Sequence, residues 1–146
     1  MQLLTALVAL VLIAPRPVAP ERTITIGVDD SMKFSVTAIT AAPGETLKIV
    51  VKSTAKMPKG AMAHNFVLLA LGTKADAFVK AGAKSPTTDY IAPADKSKVI
   101  AATPLAGPGE TVEVTFTVPD KKGVYTYVCT FTGHYLLGMK GTLTVR

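Results

Sequence analysis

From Glu21 to the last residue, apolar side chains recur at every second position in short runs, and each run ends at a turn signal. Thr111 to Val118 shows the rhythm best: Val112, Val114, Phe116 and Val118 fall on one face, threonines and Glu113 on the other. Successive strand side chains point to opposite faces, so such a chain buries its apolar set by stacking sheets. Glu21–Val28 alternates likewise, with Ile24, Ile26 and Val28 opposite Thr23, Thr25 and Gly27. Over Met32–Ile39, Met32, Phe34, Val36 and Ala38 share a side. Thr46–Lys52, Lys98–Ala102, Val124–Cys129 and Lys140–Val145 read as further strands. Ala63–Leu71, with His64 and Asn65 at its start, is densely apolar and reads as a central one. Turns are signalled by Asp29-Asp30-Ser31, Ala42-Pro43-Gly44-Glu45, Gly107-Pro108-Gly109 and Pro119 to Gly123. Residues 74–83 depart from this rhythm. They are alanine-rich, place Phe78 and Val79 near one stripe and carry Gly82 as a stop, which predicts one short inserted helix. About eight strands at this spacing predict an all-β fold, a two-sheet antiparallel Greek-key β-sandwich.

At 146 residues the chain is expected to be one domain plus a leader. The apolar run Leu3–Ala14 has the length of a signal-peptide core and is short for a bilayer span. No Lys or Arg precedes it, and Pro17 and Pro20 flank Ala19, which disfavours ordinary cleavage. Residues 1–20 are thus expected to be a signal peptide or a retained N-terminal hydrophobic anchor, and residues 21–146 an exported, periplasmic domain. Any membrane attachment would come through that anchor.

The formal charge is +6, and +5 without Arg16. Its lysines are scattered among strands and turns, which argues against a nucleic-acid stripe. Mild positive charge instead favours encounter with an acidic partner. The single cysteine excludes an internal disulfide.

The chemistry is concentrated between Cys129 and Met139. The chain has one cysteine and two histidines; Cys129 and His134 lie five positions apart, and Met139 follows after another five. Each alone has a bland reading, as a small buried thiol, a hydrogen-bonded imidazole or a core thioether. Together they suit a soft metal, and copper that cycles between Cu(I) and Cu(II) fits best. Sandwich loops gather at sheet ends, Gly133 and Gly138 permit a tight path, and His64 stands at the start of a neighbouring run. Two imidazoles and a thiolate, with a thioether on a long axial bond, make the blue-copper electron-transfer pattern.

These segments resemble the azurins. Ala61-Met62-Ala63-His64-Asn65-Phe66-Val67-Leu68 is similar to their first ligand segment, and Cys129-Thr130-Phe131-Thr132-Gly133-His134 through Met139-Lys140-Gly141-Thr142-Leu143 to their second. Ser31-Met32-Lys33-Phe34, Asp89-Tyr90-Ile91 and Val99-Ile100-Ala101 add to the likeness, which runs from Thr23 to Arg146. The resemblance implies a cupredoxin holding one type 1 copper. It implies His64, Cys129 and His134 as strong ligands and Met139 as the weak axial one. The Ala63 carbonyl would face the opposite side, where azurins usually carry glycine. Asn65 and Thr130 would support the ligand segments, and Met32, Met62 and Phe131 would rim the docking face around His134. Three departures stand out. The azurin disulfide is missing, Phe66 replaces a buried tryptophan, and the His134–Met139 spacing is one residue longer, as in auracyanins and plastocyanins.

The implied function is single-electron transfer between redox partners such as c-type cytochromes or copper or haem reductases. A copper nitrite reductase or multicopper oxidase needs further histidines, a two-copper centre needs a second cysteine, and structural zinc has little use for a thioether. The alternative is a periplasmic copper carrier or scavenger without a redox role.

Overall fold

The structure, a computed structural model, describes residues 20–146. The expected leader falls almost wholly outside the described residues. Among the described residues, eight strands form two sheets. The smaller sheet has the order β1-β3-β6, from β1 (Arg22–Val28), β3 (Thr46–Ser53) and β6 (Thr111–Thr117). The larger has the order β2-β8-β7-β4-β5, from β2 (Ala38–Ala41), β8 (Lys140–Val145), β7 (Gly123–Val128), β4 (Val67–Leu69) and β5 (Val99–Ala102). The inserted helix α1 spans Ala75–Gly82. Two 3₁₀ turns follow it, Pro86–Thr88 and Pro93–Lys98. Among the described residues, no helix is long and apolar enough to cross a membrane.

The period-two pattern explains which sides meet. Leu47, Ile49 and Val51 of β3 and Ile26 of β1 are fully buried, and they face Tyr127 of β7 and Leu143 of β8 in one core. Burying each such aliphatic side chain stabilises the fold by roughly 1.5–3 kcal/mol. Phe66 packs against Tyr127 with ring centroids 4.8 Å apart, and Phe34 lies 5.5 Å from the same ring. The Tyr127 hydroxyl donates to the Val36 carbonyl (2.6 Å), and burial pushes its pKa above the ordinary phenol value. Phe78 anchors α1 in a second cluster with Val67, Leu69 and Val128.

The structure corrects three expectations. The sandwich is not wholly antiparallel: β1 pairs with β3, and β2 with β8, in parallel. The cause is a sheet switch, because residues 29–37 carry the chain from β1 across to the second sheet. The corner at Ala42–Glu45, closed by Glu45 N–H to the Ala42 carbonyl (3.2 Å), then returns β3 alongside β1 in the same direction. The crossing also breaks the expected strand at Met32–Ile39. Met32 takes φ of 55° in a turn, Phe34 and Ile39 point inward, and Ala38 points out. Finally, Ala63–Leu71 is regular only at Val67–Leu69, although every residue from Ala63 to Leu69 is buried. The backbone of that run is satisfied piecewise, His64 pairing with Ala106 in an isolated bridge and Phe66 N–H donating to Thr103 Oγ1 (3.0 Å).

Candidate metal centre

Two short segments build the centre. His64 is fixed by two backbone hydrogen bonds with Ala106, His64 N–H to the Ala106 carbonyl (3.0 Å) and Ala106 N–H to the His64 carbonyl (2.7 Å). Cys129 follows β7 directly, and Met139 precedes β8 directly. Cys129 N–H donates to the Met139 carbonyl (3.2 Å) and Met139 N–H to the His134 carbonyl (3.0 Å), so the loop is drawn closed at its neck. Gly133 and Gly138 sit at φ of 89° and 94°, where a side chain would add strain.

The donors converge. Among the described residues, the ligand atoms of His64, Cys129 and His134 lie within 4.8 Å of one another, and all three residues are buried. Cys129 Sγ is 3.5 Å from His134 Nδ1 and 4.0 Å from the Ala63 carbonyl oxygen, and the two imidazole rings are 4.9 Å apart. Met139 is fully buried in the same core cluster as Cys129.

Burial sets the protonation states. It pushes the Cys129 thiol up to about 11, although backbone N–H groups of Asn65 and Phe131 act the other way. Burial, with the charge of His64 beside it, pushes His134 down to about 4. His64 is also lowered by burial, against the pull of Asp29 and Asp30. Neither ring nitrogen of His64 has a hydrogen-bond partner, although both are buried. A buried unpartnered imidazole is costly, and a metal ion is the partner that satisfies it. The donor set of two imidazoles and a soft thiolate fits copper.

The surroundings are as informative. Asn65 and Thr130 are joined by hydrogen bonds, and Thr130 Oγ1 donates onward to the Asp89 carbonyl (2.6 Å). His134 is only 2% exposed and packs on Phe131 at 4.8 Å. Met62 is buried, Met32 and Phe131 are half-buried, and the exposed apolar surface here belongs to Leu136 (76%) and Leu137 (54%). The Lys33 ammonium donates to the Leu137 carbonyl and braces the loop's far end. Sequence reasoning missed the parts played by Ala106 and Thr103, which act through backbone or hydroxyl and leave no periodic trace. It also gave no role to Asp89 and Tyr90, for which the azurin-like stretch was the available signal.

A two-sheet sandwich with a buried His–Cys–His set at one end defines a cupredoxin-type copper domain. The family model for copper binding proteins, plastocyanin/azurin family, matches residues 21–146. Auracyanin-A of Chloroflexus aurantiacus is 41% identical over 119 residues, covering 80% of this chain and 69% of that protein. Azurin of Pseudomonas aeruginosa is 36% identical over 146 residues, covering 98% of this chain and 97% of its own. The solved structure of auracyanin A, described as a "blue" copper protein, superimposes with a TM-score of 0.75 at 40% identity, over 87% of this chain and all of that one. The chain therefore belongs to the plastocyanin/azurin family of copper-binding proteins, and its cofactor is copper.

Proposed function

We propose that this chain is a type 1 copper protein that shuttles single electrons between exported redox proteins. The observation that carries the reading is the convergence of the buried His64, Cys129 and His134, with no hydrogen bond within normal geometry at either ring nitrogen of His64. Those three residues would hold the ion strongly, with the Met139 thioether and the Ala63 carbonyl as weaker donors. When bound, copper supplies reversible one-electron chemistry between Cu(II) and Cu(I).

The chain's own residues do the rest. The strand ends of β7 and β8 and the His64–Ala106 bridge fix the donors, so little in the protein has to rearrange between redox states. The buried walls exclude water from the sulfur. His134 would be the electron port, and Leu136, Leu137, Phe131 and Met32 the apolar face on which a partner rests, with Met62 behind them. Transient redox pairs use small interfaces of this kind. Positive net charge would speed encounter with an acidic partner, such as a c-type cytochrome or a copper or haem reductase. Both histidines of the chain would serve this one ion, which leaves no imidazole for a second, catalytic copper.

The test is the visible and EPR spectrum after Cu(II) addition. Intense thiolate-to-copper absorption that ascorbate bleaches and an oxidant restores supports electron transfer. A protein that takes only Cu(I) and stays colourless is a carrier, and the proposal fails. Replacing His134 with glycine should slow electron self-exchange; an unchanged rate removes the port assignment.

A further inference from the structure

Two residues outside the ligand segments grip the metal loop. The Asp89 carbonyl accepts the Thr130 hydroxyl at 2.6 Å. The Tyr90 ring stands edge-on to Phe131 with centroids 5.3 Å apart, and Phe131 in turn lies 4.8 Å from the His134 ring. One contact is adjacent in sequence to Cys129, and the other reaches His134 through one intervening ring.

Both residues sit in the left-handed backbone region, Asp89 at φ 51° and Tyr90 at φ 59°. Two consecutive non-glycine residues there are strained, and such strain persists only where the surroundings over-determine it. The surroundings here do so. Tyr90 N–H donates to the Ser85 carbonyl (2.9 Å), and Thr88 Oγ1 donates to the Ile91 carbonyl (2.6 Å). The last residue of α1, Gly82, packs so closely that a β-carbon there would stand 1.9 Å from the Tyr90 carbonyl oxygen. A cavity of about 290 Å³ is lined by Val79 and Lys80 of the helix and by Phe131 and Leu136 of the loop. Asp89 and Tyr90 thus join the helix end to the loop, beside the cluster on which Phe78 and Tyr135 both pack.

We propose that Asp89 and Tyr90 are positioning residues for the copper site, a strained strap that sets Thr130 and Phe131 and through them Cys129 and His134. The proposal rests on the reading of those residues as copper ligands. Neither strap residue touches the metal. Tyr90 acts through its aromatic ring, Asp89 through its carbonyl, and the phenol hydroxyl plays no part.

The experiment compares full-length wild type with Tyr90→Ala, Tyr90→Leu and Tyr90→Phe. In the metal-free proteins, amide hydrogen exchange is read at Thr130, bonded to Asn65 Oδ1, and at His134, bonded to the Phe131 carbonyl. In the copper-loaded proteins, the rate of copper loss to a chelator and the reduction potential are read. The expected result is faster exchange at both amides in the Ala and Leu variants. Copper loss should be about 10-fold faster or more and the potential displaced, with Tyr90→Phe behaving as wild type. Wild-type exchange in folded Ala and Leu variants overturns the strap. So does a Phe variant that loosens as much as Ala. If wild type itself shows no blue absorption, the electron-transfer reading fails, and the exchange comparison still decides the strap.

Discussion

Asn65 and Thr130, 65 residues apart in sequence, exchange hydrogen bonds in both directions across the metal centre. Asn65 Nδ2 donates to Thr130 Oγ1 at 2.8 Å, and Thr130 N–H donates to Asn65 Oδ1 at 2.9 Å. Each residue adjoins one of the converging donors, Asn65 next to His64 and Thr130 next to Cys129. The pair is buried, so neither partner can turn to water instead. It ties together the two segments that carry His64 and Cys129.

Replacing Asn65 with leucine should therefore cost more than one ordinary hydrogen bond. The Thr130 N–H is left buried and unpartnered, a penalty of about 1–3 kcal/mol. Copper affinity should fall about 10–100-fold, as for other losses of support behind ligands. Denaturant titration of the metal-free protein and copper competition measure the two effects separately. Wild-type values in both would show that the bridge does not register the segments.

How far the sequence carried depended on whether a residue's role left a pattern. Strands β1, β3, β6 and β8 were legible to within a residue because one face of each meets the core and the other meets water or half-burial. Alternation carries no direction, however, so the parallel pairing of β1 with β3 could not be read from it. At Met32–Ile39 the pattern misled, because the inward set shifts phase as the chain changes sheets. The three converging donors were legible because histidine and cysteine are scarce in this chain. Asp89 and Ala106 were not, since each contributes a backbone carbonyl or amide that any residue carries.

The protonation states predict the proton count of copper loading. At pH 7 the Cys129 thiol, pushed up to about 11, holds its proton, while His134, pushed down to about 4, and His64, also lowered, are neutral. Binding Cu(II) to a thiolate should then release one proton, all of it from Cys129. Calorimetry in two buffers of different ionisation enthalpy counts it; release of two or more would mean a protonated imidazole. The same shifts give the sign of acid sensitivity. The folded pKa of His134 lies below its ordinary 6.5, so the metal-free fold keeps this contribution above 6.5 and loses it as pH falls towards 4. Thermal unfolding of metal-free protein across that window should show the loss, and loaded protein should resist it.

Gly141 of β8 is a steric requirement. A β-carbon there would stand 2.2 Å from Cζ of Tyr127, whose hydroxyl holds the Val36 carbonyl in the segment that crosses between sheets. Gly141→Ala should push the ring off this site and destabilise the protein by roughly 1–3 kcal/mol, the usual penalty of overpacking. Tyr127→Phe keeps the ring and loses only the hydroxyl, so it should cost about 0.5–1.5 kcal/mol. Pairing the two changes tests the mechanism. In the double variant the total should fall short of the sum, because the alanine has already displaced the hydroxyl. Strict additivity in denaturant melts would mean that the alanine does not act through Tyr127.

Leu136 and Leu137 are exposed at 76% and 54%, while His134, two and three residues before them, is almost covered. Water has no reason to favour two adjacent leucines at a loop tip, so their use is expected in a bound state. Leu136→Glu would remove apolar contact and add repulsion towards an acidic partner. Burial of a leucine is worth about 1.5–3 kcal/mol, so the partner reaction should slow at least about tenfold. The copper spectrum and potential should stay as in wild type, since the side chain is exposed while the donors are buried. Stopped-flow oxidation by an acidic c-type cytochrome, run beside a small inorganic oxidant, separates docking from chemistry. Equal slowing with both oxidants would locate the defect at the copper site, and no slowing with the cytochrome would remove this face as the point of contact.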